Sequence, residues 1–223
     1  MKLEMAFSPN HEQKNLDRAI CVKNKKSAYF VVSDGIKESS HDDINKCLKY
    51  LYHYLCKDSS TKKIVSFLKE ISSKHDAKMS ICILEINRNY KAKIYSLGDC
   101  RLYLNGKLLT KDHSLFWKRL EERGIEKNII EENVAESSLR HKLYNCFRKE
   151  FFFVDTKIFK LKKNDEIIIC TDGVWSKMHK KIKTKKFFIR KEYNNRRDDS
   201  LTLKILIKKY GLSSLKINKG IFP

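Results

Sequence analysis

An unbroken apolar run that stops at a carboxylate followed by glycine is the feature that most constrains this chain. In Asp165-Glu-Ile-Ile-Ile-Cys-Thr-Asp-Gly-Val-Trp175, residues 167–170 are all apolar, the pattern of a strand buried on both faces. Asp172 then falls at the rim of a packed core, where a carboxylate is costly unless it is paired or bound to a cation. The pattern recurs in Ala28-Tyr-Phe-Val-Val-Ser-Asp-Gly35, and a third run, Lys93-Ile-Tyr-Ser-Leu-Gly-Asp99, ends in an aspartate beside a glycine. Three strand ends that each deliver an aspartate predict one shared acidic site.

The remaining pattern says what surrounds these strands. Short strands at 19–22 and 27–33, joined by Asn24-Lys-Lys26, predict a hairpin with Asp17 at its entrance and Asp34 at its exit. Ile44, Cys47, Leu48, Leu51 and Leu55 fall at helical spacing, with Ser40 or Asp42 available as a cap, and Ile64, Phe67, Leu68 and Ile71 repeat the signal. Strands are expected at 79–86, 90–97, 101–104, 107–109, 151–161, 165–171 and 201–207, with Asn105-Gly106 the strongest hairpin signal. Leu139, Leu143, Cys146 and Phe147 suggest one more helix face. Runs of strands interrupted by paired helices favour an α+β layered sandwich with antiparallel sheets over a doubly wound fold.

At 223 residues without an evident linker, one domain spanning residues 1–223 is expected. Lys and Arg number 48 against 27 Asp and Glu, a formal charge of +21, which points to acidic partners or reflects a biased base composition in the genome. The seven cysteines are odd in number, contain no Cys-x-x-Cys pair and lie in several cases inside apolar runs, which predicts a reducing, cytoplasmic setting. No run approaches membrane-spanning length and the N-terminus has no secretory pattern, so no membrane association is expected. The histidines show no zinc-ligand spacing, and no nucleic-acid-binding signature is present, so nucleic acid is not expected as a partner.

The order of motifs is specific: Asp17, Asp34-Gly35, Ser96-Leu-Gly-Asp-Cys-Arg-Leu-Tyr-Leu104, Leu109-Thr-Lys-Asp-His-Ser114, residues 165–175, and Asp199-Ser-Leu-Thr202. In order and spacing it resembles the metal-dependent protein phosphatases of type 2C, the PPM family, over residues 10–207. The resemblance implies a four-layer α-β-β-α sandwich, two antiparallel sheets flanked by helices, with two Mn²⁺ or Mg²⁺ ions in a cleft at one end. It implies that Asp34 bridges both ions, that the Gly35 carbonyl binds one, and that Asp172 and Asp199 complete the other. Asp17 becomes a candidate supporting residue behind them, and Asp99 a candidate ligand of a third ion. Hard divalent cations prefer such oxygen donors, and two ions about 3.5–4 Å apart activate water for in-line attack on phosphorus. The implied function is a cytoplasmic serine/threonine phosphoprotein phosphatase with phosphorylated proteins as substrates.

This sequence also departs from the family pattern. Leu16 stands where the family carries Glu or Gln, Glu12 where it carries a phosphate-gripping arginine, Ser176 where a third-metal aspartate belongs, and Ser200 where an asparagine follows the last aspartate. The glycines that follow Asp-Gly in the family are replaced by Ile36-Lys-Glu38. These changes motivate an alternative, a catalytically weak member that binds phosphoproteins as a regulatory module. Each aspartate also has a plainer reading: Asp34 and Asp172 as turn residues, Asp199 as strand-entry polarity, Asp17 as a surface partner of Arg18, and Asp99 as an acceptor within its own bend. Asp112 or Ser114 is read as a helix cap with His113 hydrogen-bonded nearby. The basic run 177–191, in which eight of fifteen residues are Lys or Arg, is read as a solvated face or as an electrostatic guide for acidic substrates.

Overall fold

A computed structural model describes residues 2–8, 16–57, 64–184, 200–208 and 220–222. Two antiparallel sheets stack face to face. The first contains β1 (Lys2–Ser8), β6 (Arg101–Leu104), β7 (Lys107–Leu108), β9 (Glu166–Cys170) and β10 (Ser200–Leu206), in the order β1-β10-β9-β6-β7. The second contains β2 (Arg18–Lys23), β3 (Ser27–Gly35), β4 (Met79–Asn87), β5 (Lys91–Leu97), β8 (Asp155–Lys160) and β11 (Gly220–Phe222), in the order β11-β2-β3-β4-β5-β8.

Period-two patterning sorts the strand residues into layers, because successive side chains point to opposite faces. Ala28, Phe30, Val32, Cys82 and Leu84 meet Leu102, Ile167, Ile169, Leu203 and Ile205 between the sheets. Their alternates Tyr29, Val31, Ile81 and Ile83 face outward onto α1 (His41–Cys56) and α2 (Ile64–Lys74). On the far side, Tyr103, Ile168 and Cys170 pack with Trp117 of α3 (Leu115–Glu122), Ile130 of α4 (Lys127–Asn133) and Val174 and Trp175 of α5 (Asp172–Lys183). Three apolar layers therefore separate four structural layers, the α-β-β-α order implied by the sequence.

The local signals act as read. Ser40 caps α1 by accepting from the Asp43 amide, and Ile44, Cys47, Leu48, Leu51 and Leu55 are its buried stripe. Asn105 and Gly106 both take positive φ, 52° and 84°, which the tight β6–β7 turn demands. No cysteine is in a disulfide, and only Cys56 is exposed. Among the described residues no helix is long and apolar enough to cross a membrane.

Several expectations need correction. Residues 139–147 are not one helix: a 3₁₀ turn at Ser138–His141 gives way to extended chain that bridges Leu143 to Ser114 and Phe147 to Met79. The apolar residues there are spaced for a helix, yet Leu143 and Phe147 are held by two separate elements, the cap of α3 and the first residue of β4. Asp172 follows the end of β9 as expected and is also the first residue of α5, which absorbs the start of the basic run. Strands β1 and β11 were not anticipated, and β8 is shorter than the predicted 151–161. Glu12 and Asp199 lie outside the described residues.

Candidate functional site

The site forms where both sheets end together. Asp34 and Gly35 close β3, opposite Ser80 and Met79 of β4. Ile81 pairs with Leu97 at the end of β5, and the chain then leaves this sheet through Gly98-Asp99-Cys100 to enter the other as β6. There Arg101 pairs with Cys170, so β9 ends beside the same crossing and delivers Asp172. Asp34, Asp99 and Asp172 consequently line one cavity of about 460 Å³, together with Gly35, Lys37, Glu38, Ser80 and His141. A second cavity of about 460 Å³ shares Ile36, Glu38, His141 and Leu143 with it and continues to Lys78, Cys146, Arg148 and Glu150.

Asp99 is the most constrained of the three. Its Oδ1 accepts from the Ser80 hydroxyl at 2.7 Å, its amide donates to the same hydroxyl at 3.2 Å, and its carbonyl accepts from the Trp175 indole at 2.9 Å. Burial, then the charges of Asp172 and Asp112, push its carboxyl up to about 7 against the opposing effects of Ser80 and Arg101. Gly98, at φ +85°, is required twice over: a side chain would be strained there and its Cβ would fall 2.2 Å from the Ser80 hydroxyl. Gly35 is equally enclosed, since a Cβ would meet Ile44 and Leu16 at 2.6 Å.

Asp17 is buried rather than paired on the surface. Its Oδ2 accepts from the Thr171 hydroxyl at 2.8 Å, and the Thr171 hydroxyl in turn accepts from the Leu201 amide at 3.1 Å. It thus ties the hairpin entrance to the residue before Asp172 without lining the cavity. Arg18 donates from Nη1 to the Asp17 backbone carbonyl at 2.8 Å and from Nε to Asn45 at 3.1 Å.

Asp172 takes part in an ion pair that sequence reasoning missed. Arg140, on the 3₁₀ turn, donates from Nη1 to Asp172 Oδ2 at 3.1 Å, and His141 Nδ1 lies 3.8 Å from the same oxygen. The sole hint in the sequence was a basic pair within residues 138–141. Beneath the cavity, Arg101 is clamped by Asp112 through two hydrogen bonds, 2.9 and 2.6 Å, and stacks 3.7 Å above the Trp175 ring. Asp112 is therefore not a helix cap; Ser114 alone caps α3, accepting from the Trp117 amide. His113 accepts from the Gly98 amide at 3.0 Å through Nδ1, and its Nε2 lies 3.1 Å from Asp155, which fixes the bend that carries Asp99.

The donor set suits a hard cation in kind: three carboxylates from different elements share one cavity. Among the described residues no three His, Cys, Asp or Glu side chains converge at ligating geometry.

The fold decides the comparison with known structures. The Staphylococcus aureus serine/threonine phosphatase Stp1 superposes with a TM-score of 0.73 at 13% identity, covering 93% of this chain and 95% of that one. The S. agalactiae serine/threonine phosphatase gives 0.70 at 14%, covering 93% and 100%. The PstP catalytic domain, solved with two manganese ions, gives 0.66 at 10%, covering 93% and 98%. This chain has the PPM phosphatase fold. The sequence itself matches no family profile and no curated protein. The PPM-fold likeness extends over nearly the whole length of each chain, which accords with the motif order running through residues 10–207.

Proposed function

We propose that the chain is a divergent PPM-type, metal-dependent serine/threonine phosphatase acting on phosphorylated proteins in a reducing, cytoplasmic setting, and that residues 1–223 form one such domain. The observation that carries this reading is the delivery of Asp34, Asp99 and Asp172 from three separate corners to one cavity on a fold shared with bacterial phosphatases. Asp34, the Gly35 carbonyl, Asp172 and Asp199 would hold two Mn²⁺ or Mg²⁺ ions, and Asp99 a third. When bound, such ions supply Lewis-acid activation of water and neutralise charge at phosphorus. The chain's own part is positional. Ser80 and Trp175 fix Asp99, Thr171 and Asp17 fix the start of α5, and Gly35 sits in a space that admits no side chain. The net charge of +21 favours encounter with acidic, phosphorylated partners.

Hydrolysis of an aryl phosphate and of a phosphothreonine peptide, with Mn²⁺, Mg²⁺ or chelator, tests the reading. Metal-dependent turnover that falls at least about a hundredfold in Asp34→Asn is expected, as for loss of a group stabilising charge in the transition state. Full activity in that variant refutes the assignment. A second reading, a phosphoprotein-binding module with little turnover, is favoured by Leu16, which packs against Gly35 where the family carries a polar side chain. It requires phosphopeptide binding at saturating Mn²⁺ without hydrolysis.

A further inference from the structure

A phosphomonoester brings nearly two negative charges to a cavity already walled by three aspartates and Glu38. Bound divalent ions would offset much of that field, and a cationic side chain of the chain itself would add directional donors to the phosphate oxygens. Lys37 and His141 line the cavity, but Lys37 is exposed and the His141 side chain is 57% accessible. Arg140 differs from both: it stands behind the cavity wall, bonded through one nitrogen to Asp172, which does line the cavity, with its side chain only 14% accessible and its guanidinium 5.6 Å from the Trp175 ring. A guanidinium is a planar fork of donors matched to carboxylate and phosphate oxygens. Here Nη1 is engaged by Asp172, while Nε and Nη2 donate to none of the described residues.

Granted the phosphatase reading of the cavity, on which this rests, we infer that Arg140 is the residue that binds the substrate phosphate. One prong of the fork stays on Asp172 and is thereby aimed; the remaining donors take phosphate oxygens. The 3₁₀ turn at Ser138–His141, rather than the N-terminal segment, then supplies the phosphate grip. Since Asp172 is also a proposed cation ligand, the same carboxylate couples the two binding events.

Calorimetry with Mn²⁺ and then orthophosphate tests this on the full chain and on Arg140→Ala, Arg140→Lys and Lys37→Ala. Expected is Mn²⁺ binding retained in all, with orthophosphate bound about ten- to a hundredfold more weakly by Arg140→Ala. Arg140→Lys should recover part of the loss, and Lys37→Ala should stay close to the parent. Unchanged phosphate affinity in Arg140→Ala overturns the inference, as does an equal loss in Lys37→Ala, which would mark a diffuse field instead of a fork. Loss of Mn²⁺ binding in Arg140→Ala also overturns it, because the arginine would then serve only to hold Asp172. Parent protein that binds no Mn²⁺ removes the phosphatase reading itself, whereas parent binding with unaffected phosphate affinity in the variant removes the inference alone.

Discussion

Two arginine–aspartate pairs flank the same tryptophan and are built for opposite ends. Arg101 and Asp112 have side chains 0% and 1% accessible, meet through two hydrogen bonds, and leave the guanidinium 3.7 Å above the Trp175 ring. Burial alone would lower the Arg101 pKa; Asp112 outweighs it, and the net direction is up. Arg140 and Asp172 are 14% and 13% accessible, meet through one hydrogen bond, and stand 5.6 Å from the ring. A closed pair cannot be dismantled without stranding a charge in the core, whereas a half-open pair can exchange partners with solvent or ligand. The first pair therefore reads as foundation, and the second fits the phosphate-binding role proposed for Arg140.

Substitution should separate them. Arg101→Ala is expected to destabilise the fold by about 3–5 kcal/mol, because Asp112 is left buried and uncompensated, while Arg140→Ala should cost about 1.5–3 kcal/mol, the loss of one hydrogen bond to a carboxylate that still lines the cavity. Urea unfolding of both variants measures the gap, and equal losses would erase the distinction. Trp175→Phe keeps an aromatic face for both guanidinium groups but removes the indole donor to the Asp99 carbonyl. A loss of about 1–3 kcal/mol is expected from leaving that buried acceptor without its partner, read by the same unfolding curves.

Glu85 sharpens the contrast most finely, as a buried carboxylate held by hydroxyls instead of a guanidinium. Ser27 and Tyr29 donate to one oxygen at 3.0 and 3.3 Å, and Tyr95 to the other at 3.3 Å. Burial raises its pKa more than these bonds and Lys93 lower it. The folded protein thus binds the proton more tightly than the unfolded chain. Its stabilising effect is complete below the unfolded carboxylate pKa of about 4.3 and is lost as pH rises through the higher folded value. Relative to Glu85→Gln, the parent should lose stability as pH rises across that window; parallel pH profiles would show that Glu85 does not titrate as described.

What was legible in the sequence followed from short-range pattern. Apolar strand runs ending in an aspartate beside a glycine located Asp34, Asp99 and Asp172, and helical spacing located α1 and α2. The expectations that needed correction depended on contacts distant in sequence. Arg101 and Asp112 face each other across a hairpin, so Asp112 beside Ser114 passes for a cap. Leu143 and Phe147 imitate a helix because two separate elements, the cap of α3 and the first residue of β4, hold them at that spacing. Strand β1 did carry alternation at Leu3, Met5 and Phe7, and its place beside β10 follows from pairing with residues about 200 positions away in sequence. Glu85, a charge inside an apolar strand, was an anomaly whose three hydroxyl partners come from two neighbouring strands.

The crossing at Gly98-Asp99-Cys100 gives the apolar layer between the sheets a further meaning. Asp34 belongs to one sheet, Asp172 follows a strand of the other, and Asp99 sits on the strap that joins them. Carboxylate spacing is therefore set by how the sheets are stacked. One residue of slippage is about 3.3 Å, close to the ion separation about 3.5–4 Å that two-metal chemistry uses. Phe30, Leu84, Ile169 and Leu203, buried between the sheets, act as the calliper that keeps the gauge of the cleft.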